Sequence, residues 1–125
     1  FRLPFANLGV SPEGASSMLL TESVGPKIAN ELLLTGRFFD GAEAEKWNII
    51  NKATEDGQAL ETAMSVAQDL VKQPLASLIT TKQLLNVGNS EVIEEVVTDE
   101  LEAFALLLQS EETQARINYL VNNSK

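Results

Sequence analysis

Apolar residues recur every three to four positions along most of the chain, which is the period of an amphipathic helix. Residues that commonly start or stop helices separate these stretches. The pattern predicts three helices in the first half, over Pro12 to about Val24, Pro26 to Gly36, and Gly41 to about Trp47. It predicts four more in the second half, from about Gln58 to Lys72, from Pro74 to Leu85, from Ser90 onward, and from Ser110 onward. The chain is therefore expected to be mostly helical.

The residues before these helices carry recognisable capping chemistry. Ser11 can cap a helix whose first position is Pro12, because proline lacks the amide that would be left unpaired there. Asp40 and Glu43 have the spacing of a capping box. Asn48 stands where a left-handed residue would end the short helix that follows Asp40, and asparagine tolerates that conformation.

Two segments lack helical periodicity and are typical of extended structure. Phe1 to Gly9 predicts a short strand and turn, and Ile49 to Ala53 predicts a second short strand. An isolated pair of strands is marginally stable in water. One or two short strands near the N-terminus would therefore need a sheet that this sequence does not itself contain.

Composition and charge exclude several classes of protein. Apolar residues make up 44% of the 125 residues and charged residues 22%, an ordinary globular mixture. Nine Lys and Arg face eighteen Asp and Glu, for a formal charge of −9. Nucleic acids and anionic membranes are bound through basic residues that neutralise phosphates, so neither partner is expected.

The absence of cysteine and histidine narrows the possible chemistry. The chain alone supplies no disulfide, no Ser-His-Asp triad and no His or Cys metal site. Its apolar stretches are far shorter than the roughly 20 residues of a membrane helix, and residues Phe1 to Phe5 show neither an initiator Met nor a signal-peptide pattern. We expect an intracellular protein, cytoplasmic in a bacterium or peroxisomal in a eukaryote, and Phe1 looks like the middle of a longer chain.

Glu13 is the candidate for chemistry. It lies between Pro12 and Gly14 at the entrance of a predicted helix, where backbone amides are exposed. The simpler interpretation is that its carboxylate only complements the positive helix end, which contributes about 0.3–1 kcal/mol. Spacing alone favours this structural role, since acids are common in first helical turns.

Four motifs in one order indicate a family. They are Phe1-x-x-Pro4, Leu8-Gly9-x-Ser11-Pro12-Glu13-Gly14, Glu31-Leu32-Leu33-Leu34-Thr35-Gly36, and Ala42-Glu43-Ala44 followed by Ile49-Ile50-Asn51. Together they resemble the C-terminal half of the crotonase (enoyl-CoA hydratase/isomerase) superfamily, with most likeness to peroxisomal-type Δ3,Δ2-enoyl-CoA isomerases and their bacterial relatives. The resemblance implies an α/β fold, the crotonase ββα spiral. Residues 1–52 would end the spiral core with its Ser-Pro-Glu-Gly turn, and residues 53–125 would form covering and oligomerisation helices.

The resemblance also implies an activity. Hydratases of this family carry a second catalytic glutamate where this chain has Phe5, whereas the isomerases that it resembles use a lone glutamate that matches Glu13. One base suffices to take a proton from C2 of a 3-enoyl-CoA and return it at C4, as in fatty-acid β-oxidation. A hydratase, a non-catalytic domain of this family that binds acyl-CoA or protein, and a free-standing acidic helical interaction module are the alternatives.

The same resemblance supplies the remaining site residues. Phe5 and Leu8, with Met18, would desolvate Glu13. Gly14 would let the acyl chain approach closely, and a simple conformational requirement of the turn explains this glycine equally well. Tyr119 matches an aromatic residue that contacts the adenine end of CoA, although Asn122 and Asn123 stand where basic residues are usual and leave only Lys125.

The resemblance has consequences for cofactors and partners as well. Coenzyme A is part of the substrate thioester, so no separate cofactor and no metal are expected. The two amides of the oxyanion hole belong to the N-terminal half of the same protein, which would be a required partner. The family forms homotrimers or hexamers.

Overall fold

The computed structural model describes residues 1–86 and 90–123, and within these residues the chain forms eight α-helices. The four helices of the first part are α1 (Phe5–Leu8), α2 (Ser16–Val24), α3 (Pro26–Thr35) and α4 (Gly41–Lys46). The four helices of the second part are α5 (Ala59–Leu70), α6 (Leu75–Leu85), α7 (Ser90–Leu108) and α8 (Glu111–Asn123).

Local sequence signals fix most of these helix boundaries. Pro26 occupies the first turn of α3, and Gly36 ends that helix in the left-handed conformation, with φ of 56°. The capping box predicted for α4 is confirmed: the Glu43 amide donates to Asp40 Oδ1 at 2.8 Å, and the Asp40 amide donates to Glu43 Oε2 at 3.1 Å. Asn48 takes the left-handed conformation expected of it, with φ of 60°.

The predicted N-terminal strands are absent from the described residues. Phe5–Leu8 is a helical turn, and Ile49 and Ile50 lie in an irregular segment where both amides donate to the Ala44 carbonyl. Phe1 and Phe39 come nearest to strand pairing. The Phe1 amino group donates to the Phe39 carbonyl at 2.7 Å, and the Phe39 amide donates to the Phe1 carbonyl at 3.0 Å. Neither predicted strand has a neighbouring strand to pair with among the described residues.

A small apolar core joins α2, α3 and α4. Leu32 is fully buried and forms the core cluster with Phe39 and Ala44. Burying a side chain of this size contributes about 1.5–3 kcal/mol. Phe39 also stacks on Phe1, at 5.6 Å between ring centroids, and tilts against Trp47 at 5.9 Å.

The later helices present most of their apolar side chains to solvent. Neither α5 nor α6 contains a buried residue, and the buried residues of α7 and α8 are polar, Glu100 and Thr113. Extended apolar surface of this kind marks faces that pack against other protein. No helix in the described part of the chain is long and apolar enough to span a bilayer.

Gly36, at the end of α3, packs closely against the N-terminal segment. A Cβ atom on Gly36 would lie 1.7 Å from Asn7 Oδ1 and 3.2 Å from the Leu3 carbonyl oxygen. Asn7 is fixed there because its Nδ2 donates to the Thr35 carbonyl and its Oδ1 accepts from Arg2. The position therefore requires glycine for its positive φ and also for the close approach of Asn7.

Gly57 provides the control for testing this double requirement. Its φ is +82°, and no atom lies within 4 Å of a Cβ built there. We expect Gly57→Ala to lower the free energy of unfolding by about 1–2 kcal/mol, which is the cost of the left-handed conformation alone. Gly36→Ala should lower the free energy of unfolding by clearly more, because the new Cβ also displaces Asn7 and breaks its hydrogen bonds. Denaturant unfolding of the complete gene product measures both changes, and equal losses would contradict the steric argument.

Candidate functional site

The turn that carries Glu13 differs from its sequence-based prediction. The helix predicted from Pro12 begins only at Ser16, and Ser11 is not its N-cap. Gly14 and Ala15 both have positive φ, 68° and 59°. Two consecutive left-handed residues are incompatible with a right-handed helix, so residues 12–15 form a turn and α2 starts after it.

The buried carboxylate of Glu100 caps α2 from a distant part of the chain. Glu100 Oε2 accepts from the Ala15 amide at 2.6 Å, and Oε1 accepts from the Ser17 amide at 2.9 Å and from Ser17 Oγ at 2.5 Å. Ser11 Oγ, freed from its expected capping role, donates to the Glu100 carbonyl at 3.3 Å. Glu100 is 7% exposed, its bond with the Ala15 amide is buried, and its contacts with Ser11 and Ser17 are partly buried.

These contacts account for all the amides at the start of α2. The first amides of a helix have no acceptor within the helix and must find one elsewhere. The Ala15 and Ser17 amides use Glu100, while the Ser16 and Met18 amides donate to the carbonyls of Glu13 and Ala15. Ala15 contributes no side-chain cap, so the carboxylate from α7 replaces the cap that a local serine or aspartate usually supplies.

A second contact fixes the other side of the same turn. Thr113 Oγ1, in α8, donates to the Gly9 carbonyl at 2.7 Å, and a Cβ on Gly9 would lie 2.7 Å from that hydroxyl oxygen. Thr113 is 1% exposed and also accepts from Ser110 Oγ. Arg116, one turn further along α8, donates to the Asn7 carbonyl at 3.4 Å. The segment between Gly9 and Ala15 is thus attached at both ends to the C-terminal helices.

Glu13 lies within this doubly attached segment, at the surface. Its side chain is exposed, and none of the hydrogen bonds among the described residues involves its carboxylate. Gly14 beside it is also exposed, with open space where a Cβ would be. The expected desolvation of Glu13 by Phe5, Leu8 and Met18 is therefore not provided within the described residues, because the turn leaves the carboxylate facing solvent.

The other predicted site residues lie on α1 and α8. Phe5 and Leu8 are the first and last residues of α1, and both are half-buried. Tyr119 is 68% exposed on α8, three residues after Arg116 and therefore on the same side of that helix. Asn122 and Asn123 end α8, exposed, and Lys125 lies outside the described residues.

One cleft lies away from the Glu13 turn. It has a volume of about 620 Å³, lies between residues 51–54 and α5, and contains none of the predicted site residues. Residues 1–86 and 90–123 bring together no group of three or more acidic side chains that could hold a metal ion.

Glu100 and Thr113 are the site residues that the sequence pattern missed. Glu100 stands among Asp99 and Glu102 on a helix whose acids resemble a solvated face, and Thr113 follows two glutamates. The usable signal was indirect: Ala15 and Gly14 make a poor helix start, which implies a cap from another part of the chain.

Comparison with known proteins gives the same family over nearly the whole chain. A family model described as Enoyl-CoA hydratase/isomerase matches residues 1–123. A curated carnitinyl-CoA dehydratase from Citrobacter koseri is 32% identical over 95 residues, which is 76% of this chain and 36% of that protein.

Solved structures of proteins from the same family share the fold of this chain. An enoyl-CoA hydratase/isomerase from Pseudoalteromonas atlantica T6c is 30% identical with a TM-score of 0.91, over 98% of this chain and 49% of that one. Pseudomonas aeruginosa OdaA is 31% identical with a TM-score of 0.90, over 95% of this chain and 49% of that one. The chain thus spans about half the length of these structures and about a third of the curated relative. The family model matches nearly the whole chain, and the solved structures share its fold. The chain therefore belongs to the enoyl-CoA hydratase/isomerase family.

Proposed function

We propose that the protein is a Δ3,Δ2-enoyl-CoA isomerase in which Glu13 is the catalytic base. The observation that carries this proposal is the state of Glu13: its carboxylate has no protein partner in the described residues, while the backbone around it is attached at Gly9 and at Ala15. A free carboxylate on a fixed backbone can meet a substrate in a defined geometry. That is the requirement for efficient proton transfer.

The proposed reaction needs one base. The Glu13 carboxylate takes a proton from C2 of a 3-enoyl-CoA, and the electron pair of the broken C2–H bond moves onto the thioester oxygen, giving an enolate conjugated with the C3–C4 double bond. The same carboxyl group then returns the proton at C4, so that the double bond lies between C2 and C3 and the carboxylate is regenerated. Two backbone amides in the N-terminal half of the protein are proposed to stabilise the enolate oxygen.

Phe5 distinguishes this reaction from hydration. Adding or removing water requires a second group that binds and activates the water molecule, and a phenyl ring can do neither. Phe5 starts α1 half-buried, so it offers an apolar wall rather than a second acid. Gly14 and Leu8 are proposed to border the acyl chain, and Tyr119 the adenine end of CoA.

A second candidate function comes from the relatives. The curated protein that is 32% identical to this chain is named a carnitinyl-CoA dehydratase. This name favours elimination or addition of water at an acyl-CoA, with Glu13 as one of the acid–base groups. The two functions differ in substrate and can be separated by direct assay.

The proposal extends to partners and location. The exposed apolar faces of α5–α8 fit a protein in which these helices pack against the N-terminal half and against neighbouring subunits of a homotrimer or hexamer. The relative named above is bacterial, so we propose the bacterial cytoplasm as the location. The acyl-CoA carries its own coenzyme A, and no further cofactor is proposed.

The complete gene product should convert a 3-enoyl-CoA into the conjugated 2-trans product faster than it hydrates a 2-enoyl-CoA. The reason is that Phe5 leaves a single carboxylate at the site. Absorbance of the conjugated thioester measures both reactions. Hydration, or dehydration of carnitinyl-CoA, at a comparable or higher rate would favour the second candidate, and turnover of none of these would favour an acyl-CoA or protein-binding role.

Glu13→Gln should lower the isomerase rate by about 10²–10⁴-fold, the contribution expected of a positioned general base. Glu22→Gln is the matched control, because Glu22 is an exposed acid on the neighbouring helix α2. It should retain the wild-type rate. A Glu13→Gln enzyme with undiminished turnover would overturn the assignment of the base.

Sedimentation of the complete gene product should give a trimer or a hexamer. The apolar side chains that α5–α8 expose, among them Leu70 and Leu85, are too extensive to be left in water, and neighbouring subunits are proposed to cover those that the N-terminal half does not. A monomer at micromolar concentration would contradict this part of the proposal.

A further inference from the structure

We propose that Glu100 is a positioning residue for the reaction, whose carboxylate sets the conformation of the turn that carries Glu13. This inference rests on the proposed function for its catalytic meaning. Its structural basis is the set of three hydrogen bonds that Glu100 accepts from Ala15 and Ser17, together with the Ser11 hydroxyl donated to its carbonyl.

The turn that carries Glu13 contains two left-handed residues whose conformation needs support from outside the turn. Gly14 and Ala15 are both left-handed, a conformation that costs alanine free energy and that glycine occupies without preference. Ala15 is fully buried and its amide has one acceptor, Glu100 Oε2. The contact with Glu100 therefore decides whether this backbone conformation persists.

Both oxygens of the Glu100 carboxylate are required to hold the turn, because each accepts from a different backbone amide. Oε2 accepts from Ala15, and Oε1 accepts from Ser17. A glutamine of the same shape has one acceptor oxygen and one amide group that only donates. In Glu100→Gln, this amide group must therefore face either the Ala15 or the Ser17 backbone N–H, donor against donor.

The contact between Glu100 and the start of α2 also affects Glu13. Glu13 lies two residues before Ala15, and its carbonyl accepts from the Ser16 amide, which lies between the two amides that Glu100 fixes. A shift of the Ala15–Ser17 backbone thus moves the peptide of Glu13. Displacing a catalytic group by about 1 Å can cost on the order of a hundredfold in rate.

The test is Glu100→Gln in the complete gene product, with Glu102→Gln as the matched control because Glu102 is exposed on the same helix. We expect Glu100→Gln to lower kcat for 3-enoyl-CoA by about tenfold to a hundredfold with KM within about twofold of wild type. Titration with a saturated acyl-CoA, which has no double bond to move, should still give one site per chain. This stoichiometry makes the fall in kcat a property of folded sites rather than of unfolded protein.

Hydrogen exchange provides a readout that does not depend on turnover. Peptides covering residues 11–20 should exchange at least about tenfold faster in Glu100→Gln than in Glu102→Gln, since the Ala15 and Ser17 amides lose an acceptor. If wild type turns over no enoyl-CoA, the proposed isomerase function fails, and the exchange rates alone then decide whether Glu100 holds the turn.

Three results would overturn the inference: unchanged exchange, faster exchange with unchanged kcat, or a fall in kcat fully explained by lost acyl-CoA sites. Should Glu100→Gln fail to fold, Ser17→Ala removes only the hydroxyl donor and leaves both amide contacts. It should lower kcat a few-fold with KM and site number unchanged. A wild-type kcat in folded Ser17→Ala would then reject the inference.

Discussion

The capping of α2 by a carboxylate from α7 is the interaction on which the site depends. The helix follows two left-handed residues, and its N-cap, Ala15, has no side chain that could accept from the Ala15 and Ser17 amides, so these two amides need an acceptor from elsewhere. Glu100 lies 85 residues later in sequence and meets that need from a buried position. The shape of the Glu13 turn is therefore a property of tertiary structure, and α7 must be in place before the turn is defined.

The same arrangement divides two acids into two roles. The start of α2 offers amide donors and a positive helix end that would bind any nearby anion. Glu100 occupies those donors and is buried, whereas Glu13 is exposed and accepts no hydrogen bond from them. A carboxylate already bonded to backbone amides has few lone pairs left for a substrate proton. By taking the donors, Glu100 leaves the Glu13 carboxylate without a hydrogen-bond partner among the described residues, which is the state that the proposed function requires of it.

Local chemistry predicted much of this structure, and long-range contacts account for what it missed. Proline at the start of α3 and the Asp40–Glu43 pair act within one helical turn, so their sequence spacing alone predicts them. The strand predicted at Ile49 failed because a strand is defined by its neighbour, and none of the described residues supplies one. Glu100 could not be told from a surface acid, since its burial depends on where Ala15 and Ser17 lie. The family motifs located Glu13, but they carry no information about what fixes its backbone.

Charge places a further constraint on how this chain could contact an acyl-CoA. CoA phosphates require basic partners, yet several of the nine Lys and Arg residues already pair with acids: Arg37 with Glu31 and Glu43, Arg116 with Glu112, and Lys72 with Asp69. Around Tyr119 the described end of α8 offers asparagines, and Asn123 donates to the Tyr119 carbonyl. Under the proposed function, Tyr119 would contribute aromatic stacking rather than charge. Neutralisation of the phosphates would then fall to basic residues outside this helix end.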